Sequence, residues 1–334
     1  MTIRVGVIGA GIMGADHVRT LSRSVRGVEV ALVADLDGGR AAEAAGLAGA
    51  RSSTDPEAVI ADPGIDAVII ASHDSTHAAL VTACLAAGKP VLCEKPLAPT
   101  VEECRALVEL EGDRGLVSLG FMRRFDPGHM ELKRRIEDGE LGEILTVHNV
   151  SRGVRGAPDA SNAFAITGSA IHELDSMPWL LGQPIAEVAW LSGRKSTSLA
   201  PAALQDPSFM LLRMADGILV TLELFLNAGY GYVTRCEAVG EKGTASFTES
   251  PLLEISSARR RSTEYPADWR PRFADAYRLE LQAWVDALTD GTPTPLATAS
   301  DGLAAAVVAT ALIESERSGG AFVPVVHQRA GVGA

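Results

Sequence analysis

The chain has 334 residues, 47% of them hydrophobic and 22% charged, with a formal net charge of -12. This length exceeds one ordinary core and predicts two domains of roughly 120 to 200 residues, and the hydrophobic share excludes a disordered chain. The acidic balance, with no Lys/Arg run interleaved with aromatics, excludes a nucleic-acid partner; the one basic cluster, RRRS at 259 to 262, reads as a solvated loop.

A strand pattern over Ile3 to Ile8 starts almost at once, leaving no space for a signal peptide, so a cytoplasmic protein is expected. Gly9, Gly11 and Gly14 follow in G-x-G-x-x-G spacing and run into a helical pattern. The first glycine permits a tight turn, the second lets the backbone approach a pyrophosphate, and the third lets the helix pack closely on the strand. Ile12 and Met13 lie on the same turn and are expected to line the cofactor. A second strand, VEVALVADLD, brings Asp35 to about 20 residues beyond the glycines, where a carboxylate accepts hydrogen bonds from the adenine ribose. No arginine is expected beside Asp35, so NAD is the predicted cofactor in preference to NADP.

Strands at 66 to 72, 90 to 95 and 116 to 121 alternate with helices over about 75 to 87 and 101 to 110, which predicts an α/β domain, a Rossmann doubly wound parallel sheet. Ligands of such sheets bind beyond the carboxyl ends of the strands, so Ser72, His73, Glu94 and Lys95 are expected at the cofactor crevice. Cys84, Cys93, Cys104 and Cys236 show no C-x-x-C spacing; they read as small buried residues of a reducing compartment, with no metal implied.

From Gly168 to Leu181 the residues Ile171, Leu174, Met177 and Leu181 fall at helical spacing, leaving His172 and Asp175 off the apolar stripe and three apart. Strands then dominate from 186 to 258. FMLLRM and ILVTLELFL flank Ala215-Asp216-Gly217, and GYVTRCEAVG and TASFTE flank Glu241-Lys242-Gly243, both hairpin signals. Helices return at 272 to 288 and 303 to 316, closed by Asp290-Gly291 and Gly319-Gly320. The longest apolar run, 303 to 313, is well short of the ~20 residues that cross a bilayer, so no membrane partner is expected.

VLCEKPLA, GFMRRFDPG at 120 to 128 and AIHELDSMPWLLG at 170 to 182 together resemble the glucose-fructose oxidoreductase and inositol 2-dehydrogenase family over nearly the whole chain, and within it most resemble the myo-inositol 2-dehydrogenases. The resemblance implies a Rossmann domain over 1–122 and, over 123–334, an α+β domain with a large open, mostly antiparallel sheet that binds substrate and pairs subunits into a homodimer or homotetramer. It implies NAD-dependent oxidation of a secondary hydroxyl of a polyol, cyclitol or sugar. Lys95 would contact both substrate oxygen and nicotinamide, His172 would be the general base, and Arg123, Tyr230 and Tyr232 would line the substrate pocket. An imidazole of ordinary pKa about 6.5 suits the task of taking the hydroxyl proton, and an ammonium suits a developing alkoxide.

The chain departs from the family at three positions. Gly168 stands where the family's D-x-x-x-H motif has its relay aspartate, and Ser151 and Gly153 stand where histidine and asparagine touch inositol. Asp175, or Ser169 through a water, is the expected substitute for orienting His172. The alternatives left open are a pocket reshaped for another cyclitol or sugar, a weaker enzyme, an NAD-binding regulator without catalysis, and an imine or enone reductase on the same fold.

Overall fold

The computed structural model describes residues 2–196, 199–247 and 254–327. Two compact units emerge, one formed by Met1–Asp126 with Asp275–Ala306 and the other by Pro127–Ala274 with Val307–Ala334. The chain therefore returns to its first unit after completing most of the second.

In the first unit the strands β1 (Ile3–Ile8), β2 (Val28–Ala34), β3 (Arg51–Ser53), β4 (Ala67–Ile70), β5 (Val91–Cys93) and β6 (Val117–Leu119) form a parallel sheet in the order 6-5-4-1-2-3, with Ala297–Thr298 antiparallel on the outer edge of β6. The order reverses at β1 beside β4, the place where such sheets hold a dinucleotide. The short β3 and the helix Pro56–Ala61 after it lie beyond the elements anticipated from sequence. β3 is nearly all polar (RSS), so no apolar alternation advertises it. Connecting helices are α1 (Ile12–Ser24) and α2 (Gly38–Gly46), then His77–Ala86 and Val101–Glu111, the last opened by a capping box of Thr100 and Glu103.

One core of this unit joins Val5, Val7, Val18, Leu21, Val33 and Ile69 to Leu281, Trp284, Val285 and Leu296 from the returning segment. A fully buried Leu, Ile or Val side chain contributes about 1.5–3 kcal/mol, so that segment is integral to the unit. The cysteines are buried, and burial pushes the Cys84 thiol up to about 12 and that of Cys104 up to about 11.

The second unit contains β7 (Ile144–Arg152), β8 (Ile185–Ser192), β9 (Ser208–Met214), β10 (Leu219–Phe225), β11 (Val233–Gly240) and β12 (Thr244–Phe247), ordered 12-11-7-10-9-8, with Val323–Pro324 outside β8. Only β7 with β10 is parallel; the other pairs are antiparallel. Both predicted hairpins form, β9 with β10 and β11 with β12, although the last two residues of TASFTE lie outside the described residues.

The long helix Trp269–Asp290 starts earlier than its periodicity suggests and is interrupted at Phe273, where φ is -108° and ψ 16°. It stops at Gly291, whose φ of 64° no β-carbon residue favours. Among the described residues no helix is long and apolar enough to cross a membrane, and no cluster of His, Cys, Asp and Glu is disposed to hold a metal ion.

Candidate active site

In the first unit the glycine turn is shaped for an anion. A Cβ on Gly14 would sit 1.8 Å from the Gly9 carbonyl oxygen, and one on Gly9 would meet the Ser72 nitrogen at 2.4 Å, so neither position tolerates a side chain. Gly11 differs: nothing lies within 4 Å of its would-be Cβ, which leaves a bare backbone at the N-terminus of α1, open to the approach an anion would need. Ile12 beside it is 62% exposed. These residues fit NAD.

Asp35 follows β2. Its Oδ2 accepts the Ala10 N–H at 2.7 Å and its Oδ1 the Asp37 N–H at 2.8 Å. Contrary to the expectation from sequence, an arginine does stand beside it. Arg40 donates from Nη2 to Asp35 Oδ1 at 2.8 Å. The reason is local: Asp37 caps α2 by accepting the Gly39 and Arg40 N–H groups, and the first turn of that helix swings Arg40 back over the strand end. Burial alone would raise the Asp35 carboxyl, but the bonds from Arg40, Ala10 and Asp37 hold it below the usual range, so it is an anion at neutral pH.

Glu94 and Lys95 follow β5. Lys95 is half-buried and Glu94 is 6% exposed. Desolvation is the largest influence on the Lys95 ammonium and brings its pKa below the ordinary lysine value; Glu94 and Asp74 oppose that and Arg123 adds to it. Arg123, 2% exposed on the turn Met122–Phe125, therefore lies within electrostatic reach of Lys95, giving this end of the unit two cations. Ser72 bonds Thr76 through their hydroxyls at 2.6 Å, and His73 is a solvent-facing ring whose Nδ1 meets the Ser75 hydroxyl at 2.9 Å.

Two histidines absent from the sequence-based set belong to this neighbourhood. His77 lies with Nδ1 2.7 Å from the Pro96 carbonyl and Nε2 3.2 Å from that of Ser72, tying together the loops after β4 and β5. His17 lies with Nε2 2.7 Å from Glu94 Oε1. The available signal was position: His17 shares the buried face of α1 with Gly14, Val18 and Leu21, a polar ring in an apolar stripe.

In the second unit His172 is the second residue of the α-helix Ile171–Leu181, which directly follows a π-helical turn, Ala165–Ala170. The single α-helix anticipated from Gly168 is thus two segments, and the wider turn contains Gly168 and Ser169; such turns recur at functional sites. Ile171, Leu174, Met177 and Leu180 are buried, and so are Glu173, Asp175 and Ser176, so the helix is enclosed on most sides while His172 keeps partial exposure. Leu181, expected on the buried stripe, is only half-buried; Leu180 takes its place.

A Cβ on Gly168 would meet the Phe164 ring at 3.4 Å, an ordinary contact. Gly153 is different, because its Cβ would lie 2.9 Å from the Leu226 carbonyl oxygen. Its N–H donates to Phe225 O at 2.8 Å and its carbonyl accepts from Ala228 N at 2.9 Å, so backbone occupies the space an asparagine would need. Tyr230 is 53% exposed and stacks edge-on with Tyr265, while Tyr232 meets Phe273 edge-on at 6.2 Å. Gly231 separates them because Tyr265 Cβ would lie 2.2 Å from any Cβ there.

A doubly wound sheet with a glycine turn, an acid after its second strand and a cationic strand end is the arrangement of an NAD-dependent oxidoreductase. Residues 3–121 match the model of an oxidoreductase family's NAD-binding Rossmann fold, and residues 133–325 match that family's C-terminal alpha/beta domain. The chain belongs to the oxidoreductase family of glucose-fructose oxidoreductase and inositol 2-dehydrogenase.

It is 56% identical to inositol 2-dehydrogenase 2 of Paenarthrobacter aurescens, over 98% of this chain and 100% of the relative, and 48% identical to inositol 2-dehydrogenase 2 of Saccharopolyspora erythraea, over 96% and 94%. Among solved structures, myo-inositol dehydrogenase of Lactobacillus casei with NAD(H) and myo-inositol superposes with a TM-score of 0.94 at 31% identity, covering 99% of each chain. Scyllo-inositol dehydrogenase of the same organism, with NAD(H) and scyllo-inositol, gives 0.90 at 25% identity over 97% of this chain and 99% of that one.

Proposed function

We propose that this chain oxidises one secondary hydroxyl of an inositol or a closely related cyclitol to a ketone. The observation that supports it most is the 56% identity, over nearly all of both chains, to a protein named inositol 2-dehydrogenase 2. NAD, when bound, supplies the hydride acceptor. His172 takes the hydroxyl proton as the carbon loses its hydride, and Lys95 donates a hydrogen bond to that oxygen and stabilises the negative charge growing on it. Arg123 adds positive charge beside Lys95, and Tyr230 and Tyr232 contact the substrate's other hydroxyls. Ser72, His73 and Glu94 border the nicotinamide end, and Asp35 receives the ribose. Asp175 and Ser169 are the nearest candidates in sequence for orienting the His172 ring.

Following NADH absorbance with a panel of inositols, aldoses and aminocyclitols tests the reading, with turnover expected on an inositol. Reduction of imines or enones without polyol oxidation would replace it, as would saturable NADH binding with no turnover of any substrate.

The sheet of the second unit supports a further element of the reading, a homodimer or homotetramer. Leu191 and Phe209 are register partners on β8 and β9, yet they are 39% and 38% exposed, a surface that a second subunit would cover.

Gly168→Asp will raise kcat on myo-inositol roughly three- to tenfold, because a carboxylate beside the base fixes its tautomer and favours its protonated form. The contact with Phe164 leaves space for the new Cβ, so the melting temperature should hold. Unchanged kinetics in a variant of unchanged stability would show that position 168 does not adjoin the base.

A further inference from the structure

His17 has no part in the reaction described above, yet it is fully buried and makes one directed bond to the strand end that carries Lys95. Its Nε2 lies 2.7 Å from Glu94 Oε1, and Glu94 Oε2 accepts the Lys95 N–H at 3.3 Å. Since the carboxylate can only accept, the proton of this bond sits on Nε2. Among the described residues the ring's other nitrogen has no hydrogen-bond partner, and the Tyr277 ring packs edge-on with the imidazole at 5.9 Å.

The slot for the carboxylate is built on its far side too. A Cβ on Gly120 would come within 3.2 Å of the Glu94 carboxyl, so the glycine after β6 is what admits it. A carboxylate taken this far from water is retained only when its oxygens are bonded. Burial favours the neutral acid, but His17 foremost, then Lys95 and His77, bring Glu94 below its ordinary pKa and keep it charged.

We propose that His17 is a positioning residue for the reaction: through Glu94 it fixes the Glu94-Lys95-Pro96 turn and holds a negative charge behind the Lys95 ammonium. This rests on the role given to Lys95 above. The glycine-turn helix that receives the cofactor is thereby coupled to the lysine that meets the substrate by a single buried hydrogen bond.

The test compares His17→Leu, His17→Gln, Glu94→Gln and Lys95→Ala in the full-length protein, with NAD and myo-inositol. His17→Leu should lower kcat on the order of tenfold or more while NADH affinity, read by fluorescence, changes less than about twofold. His17→Gln, whose amide N–H can reach Glu94, should recover most of the loss. A merely structural histidine would instead lower the melting temperature equally in both variants and leave kcat of the folded protein unchanged.

Glu94→Gln keeps the shape and removes the charge. Lys95 is faced by Glu94, Asp74 and Arg123, and of these Glu94 is the larger of the two groups that help it keep its proton. The alkaline limb of kcat against pH should therefore move to lower pH, and a limb that stays in place would overturn the proposal even if His17→Leu did not fold. Normal turnover in Lys95→Ala would overturn the role of Lys95 and this inference with it. An inactive Lys95→Ala beside a fully active His17→Leu would overturn the His17 link alone.

Discussion

Replacing Lys95 or His172 by alanine will lower kcat by on the order of a hundredfold or more, while NADH affinity stays within a few-fold of the parent. In the proposed reaction each group acts as the hydroxyl proton leaves and charge grows on oxygen, and neither belongs to the glycine turn or to Asp35, the groups proposed to seat the dinucleotide. The pH dependence separates the two. Lys95 helps only as an ammonium, so its contribution is present below its pKa and lost above it. Because desolvation, with Arg123, outweighs Glu94 and Asp74, that loss occurs at lower pH than for a free lysine. The alkaline limb should disappear in Lys95→Ala and persist in His172→Ala. Stopped-flow transients with deuterated substrate would check that the chemical step has slowed; near-normal rates in His172→Ala would mean that another group accepts the proton.

Asp35→Ser will shift the NAD-to-NADP preference by on the order of a hundredfold towards NADP, since a like charge beside the 2'-phosphate costs several kcal/mol. The size of the shift depends on Arg40. In the parent its guanidinium is committed to Asp35 at 2.8 Å with a side chain that is 57% exposed. Once the carboxylate is gone, the same fork is free to take a phosphate bidentately. The double variant with Arg40→Ala should therefore lose most of the NADP gain while keeping the fall in NAD affinity. Ratios of kcat/KM for the two cofactors measure this, and an unchanged ratio in Asp35→Ser would remove the acid from the choice.

The parts of this fold legible in the sequence are those with strong local periodicity. β1 is written in the near-continuous apolar run IRVGVI, buried at every position but Arg4, and the turn after β9 in Ala215-Asp216-Gly217. β3 is not, since three polar residues carry no pattern, and the π-helical turn is not, since a one-residue widening leaves sequence spacing unchanged. The places of Gly9, Gly11, Gly14, Asp35 and Lys95, on the turn after β1 and past the ends of β2 and β5, could be read from spacing and strand patterns. His17, His77 and Arg40 could not. Their partners are Glu94, Pro96 and Asp35, and each meeting depends on a helix entering at a particular angle. The absent asparagine at Gly153 reads as a lost contact in sequence; the close passage of Leu226 shows that backbone fills the space.

The return of Asp275–Ala306 to the first unit bears on inheritance as much as on folding. A gene fragment ending at codon 126 would encode every parallel strand of the first unit and the whole glycine turn, yet omit Leu281, Trp284, Val285 and Leu296 from the core. The missing tryptophan alone is comparable to a buried truncation costing about 3–5 kcal/mol, a large part of the ~5–15 kcal/mol by which a domain is stable. Recombination within this architecture therefore cannot exchange the dinucleotide module as one contiguous cassette. The second unit is divided in the same way, since Val307–Ala334 rejoins it after the chain has left the first, so each unit is written in two pieces of the gene and cofactor and substrate specificities are inherited as a linked pair.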